Sequence, residues 1–377
     1  MTARITVLGA GFAGLELASF LSESLGTQVD VTLIDAGSAF VFGFSKLDVM
    51  FGHQTFEAVQ LPYRHFSKPG VRFRNDKVTG IDPVTRRVTT NAGTYDCDHL
   101  VVALGVGYDH DATPGLTEGG NEFYSVEGAR RLRDVLPTFS RGRAIIGVSA
   151  APFKCPPAPS ECALMLHDYL QGRGVRDACE ITMVLPLPSP VPPSPETSKA
   201  LLAAFEERGI RFIAGKRVAS LDAKRRVAVL DDGTELPYDL YLGVPKHRAP
   251  SVVEAAGLTE NGWVPVNPRT LETKFPNVYA CGDIANTGTP KAGVFAEGAA
   301  RAIGTALVAK ISGKGEGSLY SGAGTCYIEF GAGRIGRVDV DFFSGPKPTG
   351  QYHEPSAALR ADKNHFGSSR RARWFGL

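Results

Sequence analysis

The chain has 377 residues, enough for two or three folding units rather than a single core. Its net charge of +2 gives no basic field that would gather nucleic acid. No apolar run reaches the roughly 18 to 20 residues needed to cross a bilayer. The residues from Met1 to Val7 enter a β-rich run at once and leave no room for a secretory signal, so a cytoplasmic protein is expected. Six cysteines (Cys97, Cys155, Cys162, Cys179, Cys281 and Cys326) lie far apart, without a CxxC or a Cys/His zinc spacing. No metal site is expected, and a disulfide in a reducing compartment would be catalytic rather than structural.

The first elements carry the strongest signal. Ile5 to Leu8 is a short β-rich run, and Gly9, Gly11 and Gly14 follow in a GxGxxG spacing that includes Phe12 and Ala13. Leu15, Leu17, Ala18, Leu21 and Leu25 then recur in a helical apolar pattern. A second predicted strand, Val29 to Ile34, ends in Asp35, 21 positions after Gly14. Gly9 makes the tight turn, Gly11 lets backbone approach a pyrophosphate, and Gly14 lets helix pack on strand. The helix start offers amide donors and a positive dipole end to phosphates, while Asp35 suits a ribose diol. Together these features specify a dinucleotide site.

The run Asp98 to Val102 predicts a returning strand that leads to Ala103 and Gly105. From about residue 122 to 261 the pattern starts afresh. A strand over Arg143 to Val148, a helix over Ser160 to Gln171 and a strand over Glu180 to Leu185 are followed by a Pro-rich loop and a helix over Ser198 to Arg208. A nicotinamide nucleotide bound here would require a second GxGxxG after Ile146. Gly147 is followed instead by Phe153, Lys154 and Cys155, with Pro152, Pro156, Pro157 and Pro159 lacking the backbone donors a pyrophosphate needs. NADH binding is disfavoured.

Further on, Phe275 to Cys281 predicts a strand running into Gly282 and Asp283, and Lys291 and Gly293 precede a helical run from Val294 to Ile311. Residues 1–113 and 262–322 then form one domain, 122–261 a domain inserted in it, and 323–377 a C-terminal segment. This arrangement resembles the pyridine-nucleotide-disulfide-reductase-like flavoproteins. The resemblance implies an α/β fold of two Rossmann-like, three-layer ββα domains and FAD as cofactor. It puts Asp283 at the ribityl and pyrophosphate region and Lys291 and Gly293 near the flavin ring. Phe12, Ala13, Val78, Ala103 and Gly105 border the cofactor by the same resemblance, and Leu104 stands where Thr is usual.

Within that class, Lys154, Cys155, the prolines and Glu161 resemble the active-site segment of sulfide:quinone oxidoreductases and flavocytochrome c sulfide dehydrogenase flavoproteins. Pro245 to Pro250, Gly324 to Tyr327 and Arg371 to Gly376 resemble further segments of the same group. The resemblance implies that Cys155 and Cys326, 171 positions apart, form a redox pair. Sulfide would open their disulfide to a persulfide and a thiolate, whose electron pair passes to the flavin. Lys154 is expected to favour the Cys155 thiolate. Glu161 is a candidate proton relay, with an acid stabilised at a helix start as the plain alternative. Many members of the group carry a third cysteine near the start of the inserted domain, whereas Glu122 to Ala129 contains none. Cys162 is a weak stand-in. The remaining cysteines read as buried thiols, with Cys281 near the flavin.

The tail bears on the electron acceptor. Arg360, Lys363, Arg370, Arg371 and Arg373 accompany Phe366, Trp374, Phe375 and Leu377. Basic residues among aromatics suit a peripheral contact with the inner face of the cell membrane, beside a quinone pocket lined by Phe330, Phe342 and Phe343. A solvated end that docks one aromatic ring is the alternative. The expected function is oxidation of sulfide, or a related small sulfur species, with quinone reduction; a homodimer is left open. Three alternatives remain: a thiol or persulfide oxidoreductase with another acceptor, a type II NADH dehydrogenase-like enzyme, and a redox-sensing flavoprotein.

Overall fold

Strands that are apolar on both faces need cover on both sides, and two parallel sheets in this chain obtain it in the same way. The computed structural model describes residues 2–377. In its first part β1 (Ala3–Leu8), α1 (Phe12–Leu25), β2 (Val29–Ile34), α2 (Ser45–Met50), β3 (Val71–Arg74) and β4 (His99–Val102) follow in order. The chain then builds β5 (Asn121–Glu122), α3 (Val126–Val135), β6 (Gly142–Val148), α4 (Ala158–Gly172), β7 (Cys179–Leu185), α5 (Pro195–Glu207), β8 (Ile210–Ala214) and β9 (Leu240–Val244). It returns through β10 (Val278–Ala280) and α6 (Gly293–Ser312).

The first sheet has the order β10-β4-β1-β2-β3 and the second β5-β9-β6-β7-β8, all parallel. Helices α1 and α6 pack together on one face of the first sheet. There the ring of Phe20 occupies the space a side chain at Gly304 would need, 2.6 Å from an added Cβ. The antiparallel strands Val78–Asp82, Arg87–Thr90 and Thr94–Asp96 lie on the other face, where Ile81 and Val88 join Leu8, Leu100 and Val102 in one core. The inserted sheet repeats the plan, with Val218, Leu221, Ala228 and Leu230 of a second meander under Ile145 and Val184. These are the expected three-layer ββα domains.

Where the chain crosses between domains, Gly107–Asp109 pairs antiparallel with Lys246–Arg248. Ala249, Val253 and Leu258 already pack under the first sheet. The return from the insert therefore begins well before residue 262. The two expected helices of the insert start two or three residues early. In α5 this is because Ser194 accepts the Thr197 N–H and Pro195 takes the first helical position.

The C-terminal segment forms an antiparallel sheet, β11 (Ala323–Glu329), β12 (Ile335–Asp341) and β13 (Thr349–Ser356), then α7 (Ala358–Arg370) and a π-helical turn at Arg371–Phe375. The turn corrects two of the four expected membrane anchors, Trp374 and Phe375, while Leu377 stays exposed. Trp374 is 0% exposed and Phe375 is buried with it, both in the core beside α1. Trp374 Nε1 donates to Glu16 Oε2 at 3.0 Å, and Arg301 and Arg373 pair with the same carboxylate at 2.8 and 3.1 Å. Arg370 holds the Glu297 carboxylate at 2.6 Å. Arg370, Arg373 and Trp374 are thus spent on the acids of α1 and α6, while Lys363 pairs with Glu329 of β11. No helix among the described residues is long and apolar enough to cross a membrane.

Candidate active site

The glycine loop shows what each glycine is for. A Cβ on Gly9 (φ 100°) would lie 2.3 Å from the Ala103 carbonyl, and one on Gly14 would lie 1.8 Å from the Gly9 carbonyl. Both positions exclude side chains because backbone runs against backbone. Gly11 differs: a Cβ there meets nothing within 4 Å, and φ is an ordinary −78°. The protein itself does not need glycine at 11, and the space in front of the α1 N-terminus is open and large enough for a ligand backbone to approach. Asp35 accepts the N–H of Ala10 and of Gly37, each at 2.7 Å, and so also holds the loop in shape. Burial raises its pKa, and those two amides oppose the rise. Ala13 lies beneath Gly282, and Phe12 presses its ring on Gly293, 2.7 Å from where a Cβ would be. Three chain segments thus meet at the start of α1. Gly105 also has open space around it, at φ 63°. Val78 and Leu104 pack against the core on the opposite face of the sheet.

A cavity of about 260 Å³ opens beside this junction. Phe12, Asp283, Lys291 and Gly293 line it from the first domain, Lys154, Cys155 and Glu161 from the insert, and Cys326 from β11. Two segments 171 positions apart have therefore been brought to one cavity. Cys155 takes a left-handed φ of 47°, which costs a non-glycine residue about 1–3 kcal/mol. Its N–H donates to the Lys291 carbonyl at 2.8 Å, and its carbonyl accepts the Ala158 N–H at 2.8 Å. His247 supports the preceding residue. Its Nε2 accepts the Lys154 N–H at 3.2 Å while Nδ1 meets the Pro245 carbonyl at 2.8 Å, and burial lowers its pKa to about 3, so the ring is neutral.

The electrostatics favour neutral thiols. Burial raises the Cys155 pKa well above the ordinary thiol range, and Glu161 and Cys326 push it further. Burial, then Glu161, pushes Cys326 up to about 12. Glu161, only 3% exposed, is itself raised to about 7 by burial, opposed by Lys363 and by the Glu329 N–H that it accepts at 3.0 Å. A carboxyl that titrates near neutrality beside two thiols is equipped to accept a proton. It also lies in the first turn of α4, as the plain alternative expects.

Two expectations change. Lys154 is not among the groups that act most strongly on the Cys155 thiol. Its ammonium lies over the Tyr108 ring at 4.9 Å, and the lysine that acts to lower the Cys155 pKa is Lys46 on α2, whose own pKa burial and then Lys154 lower to about 7. Lys46 also lines the cavity, and sequence reasoning missed it because an isolated lysine in a short helix carries no motif. The proposed quinone-pocket residues also fall elsewhere. Phe330 is buried in the core, Phe342 packs edge-on against Phe295, and Phe343 packs against Tyr320. The aromatic rings on the cavity are Phe12, Phe44, Phe123, Tyr124, Tyr327 and Phe366.

Lys291 is buried rather than a surface lysine. Its Nζ donates to the Asp283 carbonyl at 2.6 Å and lies 3.8 Å above the Trp263 ring centre, and burial lowers its pKa to about 8. Cys97, Cys162, Cys179 and Cys281 are buried and none lines this cavity, and all six cysteines are free thiols in this structure.

The profile of the family described as pyridine nucleotide-disulphide oxidoreductase matches residues 3–310. The chain belongs to that family. It is an FAD-dependent oxidoreductase, and the glycine cradle, Asp35 and the Gly282–Asp283 turn suit the dinucleotide half of that cofactor. Among sequence relatives, it is 23% identical over 360 residues to the mitochondrial sulfide:quinone oxidoreductase of Mus musculus, covering 92% of this chain and 79% of that protein. The sulfide-quinone reductase of Aquifex aeolicus is 25% identical over 354 residues, covering 88% and 82%. The crystal structure of the Aquifex aeolicus sulfide:quinone oxidoreductase superposes with a TM-score of 0.88 at 23% identity, over 100% of this chain and 93% of that one. A type II NADH:quinone oxidoreductase of Staphylococcus haemolyticus is 27% identical over 243 residues, covering 61% and 60%.

Proposed function

We propose that this flavoprotein oxidises sulfide, or a small sulfur species like it, at the Cys155–Cys326 pair and reduces a quinone. The observation that carries this reading is the one cavity shared by both cysteines and the buried Glu161. In the oxidised pair, hydrosulfide attacks one sulfur and the S–S bond breaks. One cysteine keeps the new sulfur as a persulfide, the other leaves as a thiolate, and Glu161 takes the proton. FAD, when bound, would supply the two-electron acceptor as that thiolate bonds to the outer persulfide sulfur and closes a Cys155–S–Cys326 bridge. The left-handed Cys155 loop holds one sulfur in place, and Lys46 balances negative charge beside it. Phe12, Phe44, Tyr327 and Phe366 offer flat apolar surface for a quinone ring at the same cavity. A lipid-borne acceptor implies a peripheral membrane contact, made by residues other than the buried Trp374 and Phe375.

The relatives include NADH-oxidising enzymes, so the reductant is the point to test. Against NADH stand Pro152, Pro156, Pro157 and Pro159, which lack N–H donors where a nucleotide phosphate would sit. The experiment is anaerobic stopped-flow of the oxidised holoenzyme, first with sulfide or NADH, then with a quinone analogue. Rapid bleaching by sulfide and recovery on adding quinone are expected. Rapid bleaching by NADH with none by sulfide would overturn the reading.

A further inference from the structure

The segment Glu122 to Ala129 holds no cysteine, yet it places Tyr124 on the cavity wall with Cys155. Tyr124 is 4% exposed, and its hydroxyl is a buried polar group with no hydrogen-bond partner. Among the ionisable groups acting on that phenol, Cys155 acts most strongly, ahead of Tyr108 and Glu161. A buried hydroxyl left unpaired is costly, and nothing in the packing requires it. A phenylalanine would fill the same space.

The main chain around Tyr124 is tightly built. Its N–H donates to Glu122 Oε2 at 2.7 Å, and its carbonyl accepts Tyr108 Oη at 2.7 Å and the Lys46 ammonium. Ser125 adds two more donors to the Glu122 carboxylate, its N–H at 2.8 Å and its hydroxyl. That acid is therefore fully engaged. Lys46 has no carboxylate within ion-pair distance among the described residues. Lys154, Lys291 and Lys363 line the same cavity, as do Asp283 and Glu161, and Lys363 pairs with Glu329. Lys46, whose pKa burial and then Lys154 lower to about 7, and an idle phenol share the cavity with Cys155; together they describe a receptor for a small anion, whose charge would keep that lysine protonated.

Building on the sulfide reading, we propose that Tyr124 Oη and Lys46 Nζ form the recognition site for the terminal sulfur anion, either incoming hydrosulfide or the outer sulfur of a Cys155 persulfide. The hydroxyl donates to the sulfur and the ammonium balances its charge. Protonated amines, which carry positive charge and need acceptors, are disfavoured at that position.

The test compares the full-length holoenzyme with Tyr124→Phe and Lys46→Met. In each variant the sulfide concentration giving half-maximal flavin reduction is expected to rise about tenfold, the scale of one charge-assisted hydrogen bond. A second measurement does not depend on turnover: the protein is treated with inorganic polysulfide, and sulfane sulfur on Cys155 is followed by mass spectrometry. Tyr124→Phe is expected to lose that sulfur at least severalfold faster than the parent. If the parent is not reduced by sulfide, the proposed function fails, and the polysulfide arm still decides the site. Parent-like retention in Tyr124→Phe overturns the assignment, as does a Lys46→Met variant with unchanged sulfide dependence.

Discussion

Cys155 donates its backbone N–H to the carbonyl of Lys291 at 2.8 Å, tying the inserted domain's cysteine loop to the segment that leads into α6. Lys154 and Lys291 form a parallel bridge at the same place. The cysteine is therefore positioned by both domains at once, and its left-handed backbone persists because these contacts over-determine it. Chemistry at its sulfur is coupled to the exact seating of one domain on the other.

If Cys155 and Cys326 act as one redox unit, removing either sulfur removes the same step. Cys155→Ser and Cys326→Ser are each expected to keep their FAD and lose sulfide-dependent flavin reduction by about a thousandfold. The double variant should be little worse than either single one, because residues that act together are not additive. Cys97→Ser and Cys179→Ser, buried away from the cavity, should behave like the parent. Anaerobic reduction rates check this, and full activity in either Cys155→Ser or Cys326→Ser would remove the mechanism.

What was legible in the sequence had a local steric or periodic cause. Gly9 and Gly14 are forced by carbonyls within 3 Å of any added Cβ, and such needs leave a fixed spacing behind them. The alternating strands and helices of both ββα domains are legible for the same reason. The tail was not legible: arginines among aromatics look alike whether they meet lipid or protein. The residue that decides the matter, Glu16, lies 358 positions from Trp374. Lys46 and Tyr124 were equally invisible as site residues, since each takes its meaning only from the cavity that the fold closes around Cys155.

Gly11 offers a clean separation of cofactor binding from folding. With open space and φ of −78°, Gly11→Val is expected to fold with a parent-like circular dichroism spectrum yet purify nearly colourless. Gly14→Val drives side-chain atoms into the Gly9 carbonyl and is expected to fail to fold. A Gly11→Val protein with a full complement of FAD would show that the open space is not the pyrophosphate cradle.

The docked tail makes a stability prediction. Trp374 is fully buried against Phe12, Phe40 and Phe42 and supplies a hydrogen bond to the buried Glu16. Trp374→Ala leaves a large cavity and one fewer donor on that carboxylate. A loss of about 3–5 kcal/mol is expected in denaturant unfolding. A loss below about 0.5 kcal/mol, the range of surface substitutions, would mean that this ring is not held in the core.

Glu161 links the chemistry to pH, and the sign can be worked out. Its folded pKa of about 7 lies above the ordinary 4.5 because burial disfavours the carboxylate. Between those values the folded state holds a proton that the unfolded state releases, so the residue's contribution to stability falls as pH rises through that window. Glu161→Gln removes this dependence, and its melting temperature relative to the parent should rise from about pH 5 to about pH 8. The rate has the opposite sign. Only the carboxylate can accept the proton released when sulfide opens the disulfide, so the parent needs the ionised form. The ratio of parent to variant rates for sulfide-dependent flavin reduction should climb up to about tenfold per pH unit below about 7 and level off above it. Taking the ratio cancels the ionisation of sulfide itself, which affects both proteins equally. A ratio that stays flat across the range would leave Glu161 as a buried helix-start acid with no part in the proton transfer, even if the melting temperatures behave as expected.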